Sequence, residues 1–334
     1  MLFPFLFIIM WILFGGNTWN ADYASYQYIY SLIGHSHAYV STEPGFELLS
    51  LLAAKIGLNY NGFLIVYSLL GLILITTTLK KYTNKINLVL ILYILYPFLL
   101  DIVQIRNFMA MCIILYSTKF LITNNKIDFY KYVIGVILAT LFHNSAIFYL
   151  IFLLVKIKSK KKIMITTISV VLIGIIFQTI VPNIIYNFFP ENRYDSYFSF
   201  NIGIMQKVLL LIYLLINLLI TYYSYKRVNK LNSGNEELID FSELVMKINI
   251  LIMIVFVFLS ININFIRLFR NILPLNYILY SNVFKKNTLS LKLSNFIHSL
   301  SLFIFIIVSN IIFIILIAYE SVVIPIFTNN LLFK

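Results

Sequence analysis

Residues 62–79 read GFLIVYSLLGLILITTTL, and Lys80 and Lys81 follow at once. Eighteen residues with no charge make about 27 Å of helix at 1.5 Å each, close to the ~30 Å hydrocarbon core of a bilayer. The run has no two-residue alternation, and a paired lysine closes it. That is the signature of a membrane helix ending on the cytoplasmic side. Similar runs fall roughly at 2–14, 87–100, 103–122, 132–142, 145–155, 163–181, 207–225, 247–261, 271–284 and 296–318.

Composition agrees with this reading. Of 334 residues, 61% are hydrophobic and only 11% charged, against ~45–50% and about 25% in soluble domains. Mean hydropathy is +0.93. These values exclude disordered, collagen-like and disulfide-scaffold chains. They predict an all-α, polytopic transmembrane bundle of about 10–12 helices, because each run holds one helix and not a barrel strand. The net charge of +13 sits in short runs between apolar segments, so it marks cytoplasmic loops and not a nucleic-acid partner. The single cysteine, Cys112, lies within an apolar run, which leaves no intrachain disulfide and no cysteine metal site. The first segment, Met1 to Phe14, has neither a basic start nor a small-residue cleavage site, and reads as a retained span.

Orientation follows from the lysines. Lys80, Lys81 and Lys85; Lys126 and Lys131; Lys156, Lys158 and Lys160 to Lys162; Lys226, Arg227 and Lys230; and Lys285, Lys286 and Lys292 all fit the inner side. The N-terminus is then also inside. This arrangement requires 132–155 to begin and end inside, although it is too short for two full α-helical spans. The expectation is a bent helical hairpin with its tip at Phe142-His143-Asn144-Ser145; the alternative is one long helix that violates the charge rule once. One membrane domain, 1–334, results. Its outer segments are a loop at 15–61 with a short re-entrant or interfacial helix, the connection from Asp101 to Arg106, a loop at 182–206, and Asn262 to Arg270. Residues 226–247 form a cytoplasmic loop with Glu236, Glu237, Asp240 and Glu243, read as a solvated helix or linker.

On this topology 17 lysines and one arginine, Arg227, lie inside, while three lysines and four arginines lie outside. The outer arginines are Arg106, Arg193, Arg267 and Arg270. Any mobile cation satisfies the inside rule, but arginine offers a planar fork that grips carboxylate or phosphate at two points. Charges at the ends of apolar runs are costly and usually face a cavity. The outer arginines therefore point to an anionic ligand, most naturally a phosphate or diphosphate; the alternative for each is snorkelling to outer headgroups.

Acid and base candidates share that side. Asp22 lies in Asn20-Ala21-Asp22-Tyr23-x-x-Tyr26, where Asp22, Tyr26, Ile29 and Tyr30 fit one helix face, or Asp22 serves as first-turn helix chemistry. Glu43 precedes Pro44-Gly45-Phe46, as a base or as a helix cap. His143 interrupts an apolar stretch beside Asn144 and Ser145. It is either a core histidine or a group that takes a hydroxyl proton near neutrality. His35 and His37 lack a third ligand, so no metal site is assigned, and His298 reads as structural. Tyrosines crowd the outer segments, as an interfacial belt or as platforms for sugar faces. Nucleotide-binding glycine motifs and zinc spacings are lacking, as is an inner Asp-x-Asp, so neither ATP nor a cytoplasmic nucleotide sugar is expected.

Taken in order, Asp22-Tyr23-x-x-Tyr26, Glu43-Pro44-Gly45-Phe46, Ile105-Arg106 with Ala110, Phe142-His143-Asn144-Ser145-Ala146 and Arg193-Tyr194-x-x-Tyr197 resemble the EpsG/Wzy-type family of bacterial polysaccharide polymerases. The resemblance is clear over residues 15–200 and continues by hydropathy and Arg267. Many relatives carry an arginine just before the Asp-Tyr motif, where this chain has Phe14-Gly15-Gly16-Asn17.

The resemblance implies a GT-C-like integral membrane glycosyltransferase that needs no cofactor. Its substrate would be an undecaprenyl-diphosphate-linked oligosaccharide, polymerised at the outer face of the cytoplasmic membrane for capsule, exopolysaccharide or O-antigen. It would work in membrane lipid beside a flippase and a chain-length regulator. Arg106, Arg193, Tyr194, Arg267 and Arg270 would then meet diphosphate or sugar, and His143, Glu43 or Asp22 would serve the acceptor hydroxyl. A related glycan ligase, an acyltransferase and a lipid-linked oligosaccharide flippase are the competing readings.

Overall fold

Apolar runs separated by polar caps become helices in the computed structural model. It describes residues 2–36, 43–123, 125–177, 202–232, 234–284 and 289–331. Among the described residues five helices are long and apolar enough to cross a membrane: α4 (Tyr60–Tyr82), α5 (Ile86–Val103), α10 (Ile204–Leu231), α11 (Glu236–Leu259) and α14 (Leu293–Ile315). Shorter ones are α1 (Leu2–Gly15), α2 (Tyr23–Ser36), α3 (Pro44–Lys55), α6 (Ile105–Ser117), α7 (Lys126–Thr140), a 3-10 segment α8 (Asn144–Lys156), α9 (Lys160–Ile176), α12 (Ile266–Arg270), α13 (Leu273–Ser281) and α15 (Tyr319–Thr328). No strand occurs among the described residues, so the chain is an all-α, multi-pass membrane bundle.

The helices fall into two units. The first comprises Met1–Leu150 and Tyr280–Lys334. Here α1 lies along α4, and the Trp11 indole N–H donates to the Ile65 carbonyl at 2.8 Å. Small residues allow helices to approach closely in lipid. At Gly71 of α4 an added Cβ would stand 2.2 Å from the Phe108 ring of α6. Helix α5 bends at Tyr96 and Pro97, where Tyr96 takes extended dihedrals (φ −164°, ψ 130°) and Pro97 has no N–H to continue the ladder. Beyond the bend Asp101 is fully buried and accepts from the Tyr93 hydroxyl at 2.8 Å. The apolar α15, which the hydropathy runs do not anticipate, leads to Asn329 and Asn330. Asn330 donates to the Leu13 carbonyl at 2.9 Å, and Thr18 N–H donates to Asn329 at 2.7 Å. Buried His298 lies 3.4 Å from the Tyr280 carbonyl.

The expected hairpin is present. Helix α7 ends at Thr140, the chain turns through 141–143, and the Tyr132 hydroxyl donates across to the Tyr149 carbonyl at 2.8 Å. The returning arm is 3-10 and not α. At about 2.0 Å per residue its 13 residues cover roughly 26 Å, against about 20 Å as α-helix. That extra rise lets so short a sequence reach deep and come back.

The second unit comprises Ile151–Leu279. Its core holds a closed ring of buried amides. Asn217 donates to Asn249 at 2.8 Å, Asn249 to Asn276 at 2.7 Å, and Asn276 back to Asn217 at 3.1 Å. Residues 226–247 contain the end of α10 and much of α11. Asn235 caps α11 by accepting from Leu238 N–H at 3.1 Å, and Phe241 and Leu244 to Leu251 are buried.

Candidate functional site

Three motifs far apart in sequence meet in the first unit. Glu43 stands just before α3, Arg106 in the first turn of α6, and His143 in the break between α7 and α8. Arg106 Nη1 pairs with Glu43 Oε2. The other carboxylate oxygen lies 3.3 Å from His143 Nδ1 and 3.4 Å from the Asn144 N–H. The side chains of Glu43, His143 and Arg106 are 8%, 13% and 23% exposed, so the cluster is sheltered but reachable through its arginine.

Local sequence explains the placement. Pro44 takes the first helical position of α3, where a missing N–H costs nothing. Gly45 N–H donates to the Leu141 carbonyl at 2.7 Å, and a Cβ on Gly45 would lie 2.8 Å from that oxygen. Only glycine lets α3 dock this tightly on the hairpin tip. Phe46 is fully buried, 5.7 Å from both the Tyr26 and Phe63 rings. Tyr67 continues this aromatic wall to Phe142, the residue before His143.

Glu43 occupies the cap position of α3 but makes no side-chain cap hydrogen bond, so its carboxylate is turned sideways into the cluster. Burial alone would raise its pKa. The His143 hydrogen bond and the Arg106 charge outweigh burial and hold it at about 2. Glu43 is thus an anion at any physiological pH and a weak proton acceptor.

Tyr26, which sequence reasoning placed in a motif but not among the site residues, completes the arginine's surroundings. Arg106 Nε donates to its hydroxyl at 3.3 Å, and the guanidinium carbon stands 5.3 Å from the ring centroid. The available signal was its position four residues after Asp22, hidden among 24 tyrosines.

The remaining candidates are distributed differently. Asp22 sits half-buried at the start of α2, its N–H donating to the Asn20 side chain at 3.0 Å. Arg267, half-buried, and Arg270, buried, are both on α12 of the second unit. Arg193, Tyr194, Tyr197 and His37 lie outside the described residues. Among the described residues no group of three His, Cys, Asp or Glu side chains could hold a metal.

The profile of the EpsG family matches residues 1–328. The chain belongs to the EpsG family. Membership makes it a polysaccharide polymerase-type membrane protein, and in this EpsG family member the Glu43, Arg106 and His143 motifs form one cluster. No curated protein and no solved structure matches the chain.

Proposed function

We propose that this protein is a membrane glycosyltransferase that polymerises undecaprenyl-diphosphate-linked oligosaccharide repeat units at the outer face of the bacterial cytoplasmic membrane. The observation that carries this reading is the meeting of Arg106, Glu43 and His143. Polymerisation needs a base for the acceptor hydroxyl and a cation for the departing diphosphate, and this cluster offers one of each.

His143 is the base. With its Nδ1 toward the ionised Glu43, the imidazole would carry its proton there, which leaves Nε2, buried in this conformation, to take the hydroxyl proton once the acceptor enters. As the acceptor oxygen bonds to the donor's anomeric carbon, its proton moves to Nε2. The anomeric carbon–oxygen bond breaks, and undecaprenyl diphosphate leaves with the electron pair. Glu43 positions the ring and stabilises the imidazolium that forms. Arg106 has five N–H donors, more than its contacts to Glu43 and Tyr26 use, and meets the charge growing on the leaving oxygen. Arg193, Tyr194, Arg267 and Arg270 are proposed further contacts to diphosphate or sugar, and Asp22 to the acceptor.

The test is extension of synthetic undecaprenyl-diphosphate repeat units by purified protein in lipid, without nucleotide sugar, ATP or metal. A product ladder is expected. His143→Gln should lower the rate by roughly 10²–10⁴-fold. Arg106→Lys keeps the charge that balances Glu43 but loses the fork, and should lower it about 10²-fold or more. Full activity in either folded variant would remove that residue from the chemistry.

A further inference from the structure

The second unit contains a cavity of about 720 Å³ between α9, α10 and α11. Its size is within the ~300–1,000 Å³ usual for ligand sites. The walls are aliphatic and aromatic, and many of them are open to the surroundings: Ile168 is 51% exposed, Leu172 57%, Leu215 42% and Leu219 66%. The charged and phenolic groups gather at one end, with Thr167 midway along α9. Lys160, Lys161, Tyr222 and Tyr225 lie there, whereas Leu172 and Leu211 mark the other end. From Lys160 to Leu172 the groove follows α9 for about 18 Å, roughly one leaflet of the ~30 Å hydrocarbon.

The polar end carries a charge surplus. Lys160 lies 3.4 Å from Glu243 and contacts the Tyr225 hydroxyl, and Lys247 lies 3.0 Å from the same carboxylate. Two ammonium groups thus share one carboxylate, and exposed Lys161 at the same mouth adds a third positive charge. An anion placed there meets a net positive field, and the tyrosine hydroxyls can donate to its oxygens. Lys156 to Lys162 is the densest basic run in the chain, which by the charge rule sets this end at the inner leaflet.

We propose that this groove binds an anionic glycerophospholipid of the inner leaflet, with an acyl chain between α9 and α10 and its phosphate at Lys160 and Lys161. Charge complementarity at the mouth and the single-leaflet length together identify the occupant. A zwitterionic lipid offers no net charge to the lysines. The catalytic cluster proposed above, Arg106, Glu43 and His143, lines no part of this groove.

Native mass spectrometry of the full-length protein, released from mixed vesicles of phosphatidylglycerol and phosphatidylcholine with identical chains, tests this directly. Phosphatidylglycerol should be retained preferentially. A basic residue near the surface contributes about fivefold in affinity for anionic lipid, so Lys161→Ala should weaken retention about fivefold and Lys160→Ala with Lys161→Ala roughly 25-fold. Leu215→Trp, at a half-open wall, should displace the lipid without altering the charge. Lys161 is exposed, so its variant tests the proposal even if Lys160→Ala disturbs the fold. Equal retention of the two lipids, or no change in Lys161→Ala, would overturn the proposal. Displacement of phosphatidylglycerol by undecaprenyl phosphate at lower concentration would also overturn it and give the groove to a polyprenyl chain.

Discussion

Glu43 shows how one carboxylate can be committed to a site. A residue before Pro44 at a helix start is expected to cap that helix, yet its oxygens meet Arg106 and His143 instead. An ion pair so sheltered stabilises only while both partners are charged. The folded pKa of about 2 is below the ordinary 4.5, so the ionised carboxylate contributes stability above about pH 4.5 and loses it as pH falls toward 2. Glu43→Gln should therefore melt below the parent protein at pH 7, with the gap closing as pH drops through that window. Thermal unfolding in detergent across pH measures it, and a constant gap would mean that Glu43 does not titrate as described. The three site motifs were legible as polar interruptions of apolar sequence. Their mutual contact was not, because nothing in the spacing of 43, 106 and 143 says which helix ends coincide. Asp22, Glu43 and His143 thus stood as equal bases in the sequence, and only the low pKa of Glu43 and the placement of Nδ1 separate two of them.

At the scale of elements, helix existence was easier to read than helix geometry. The runs 62–79 and 207–225 became α4 and α10, each extended into its polar flanks. The run at 247–261 marks only the apolar part of α11; its start lies in the stretch read as a solvated helix or linker, where Glu236 and Glu237 suit a capped helix N-terminus. No hydrophobic period announces that 144–156 is 3-10, since that choice comes from the distance the arm must cover. The contact of α3 with the hairpin tip depends on the missing side chain at Gly45. Its Cβ would also lie 3.0 Å from Leu141 Cβ, so backbone or helix must yield. Gly45→Ala should cost about 1–3 kcal/mol of stability and carry Glu43 away from His143. Gly234→Ala, with nothing within 4 Å, should be neutral. Paired melts and extension assays check this, and a Gly45→Ala protein with parental stability and rate would show that the close approach is unimportant.

Across the whole molecule, the placement of the site depends on the hairpin. Arms of about 22 Å for α7 and 26 Å for α8 cross most, but not all, of a ~30 Å core. If the charge rule holds and Lys126 and Lys156 share one surface, His143 falls in the far half of the bilayer, within reach of a lipid-borne diphosphate. A full single crossing would instead put Lys126 and Lys156 on opposite sides and reverse every later helix. Cysteine accessibility separates the two topologies, because native Cys112 is fully buried and should stay silent. A cysteine replacing exposed Ala24 should react with an impermeant maleimide in intact cells, and one replacing exposed Lys161 should react only in inside-out vesicles. Reaction of both from the same side would end the hairpin topology. It would also invert the leaflet of the lysine-mouthed groove while leaving the Arg106–Glu43–His143 cluster intact, so the location of the chemistry and its geometry can fail independently.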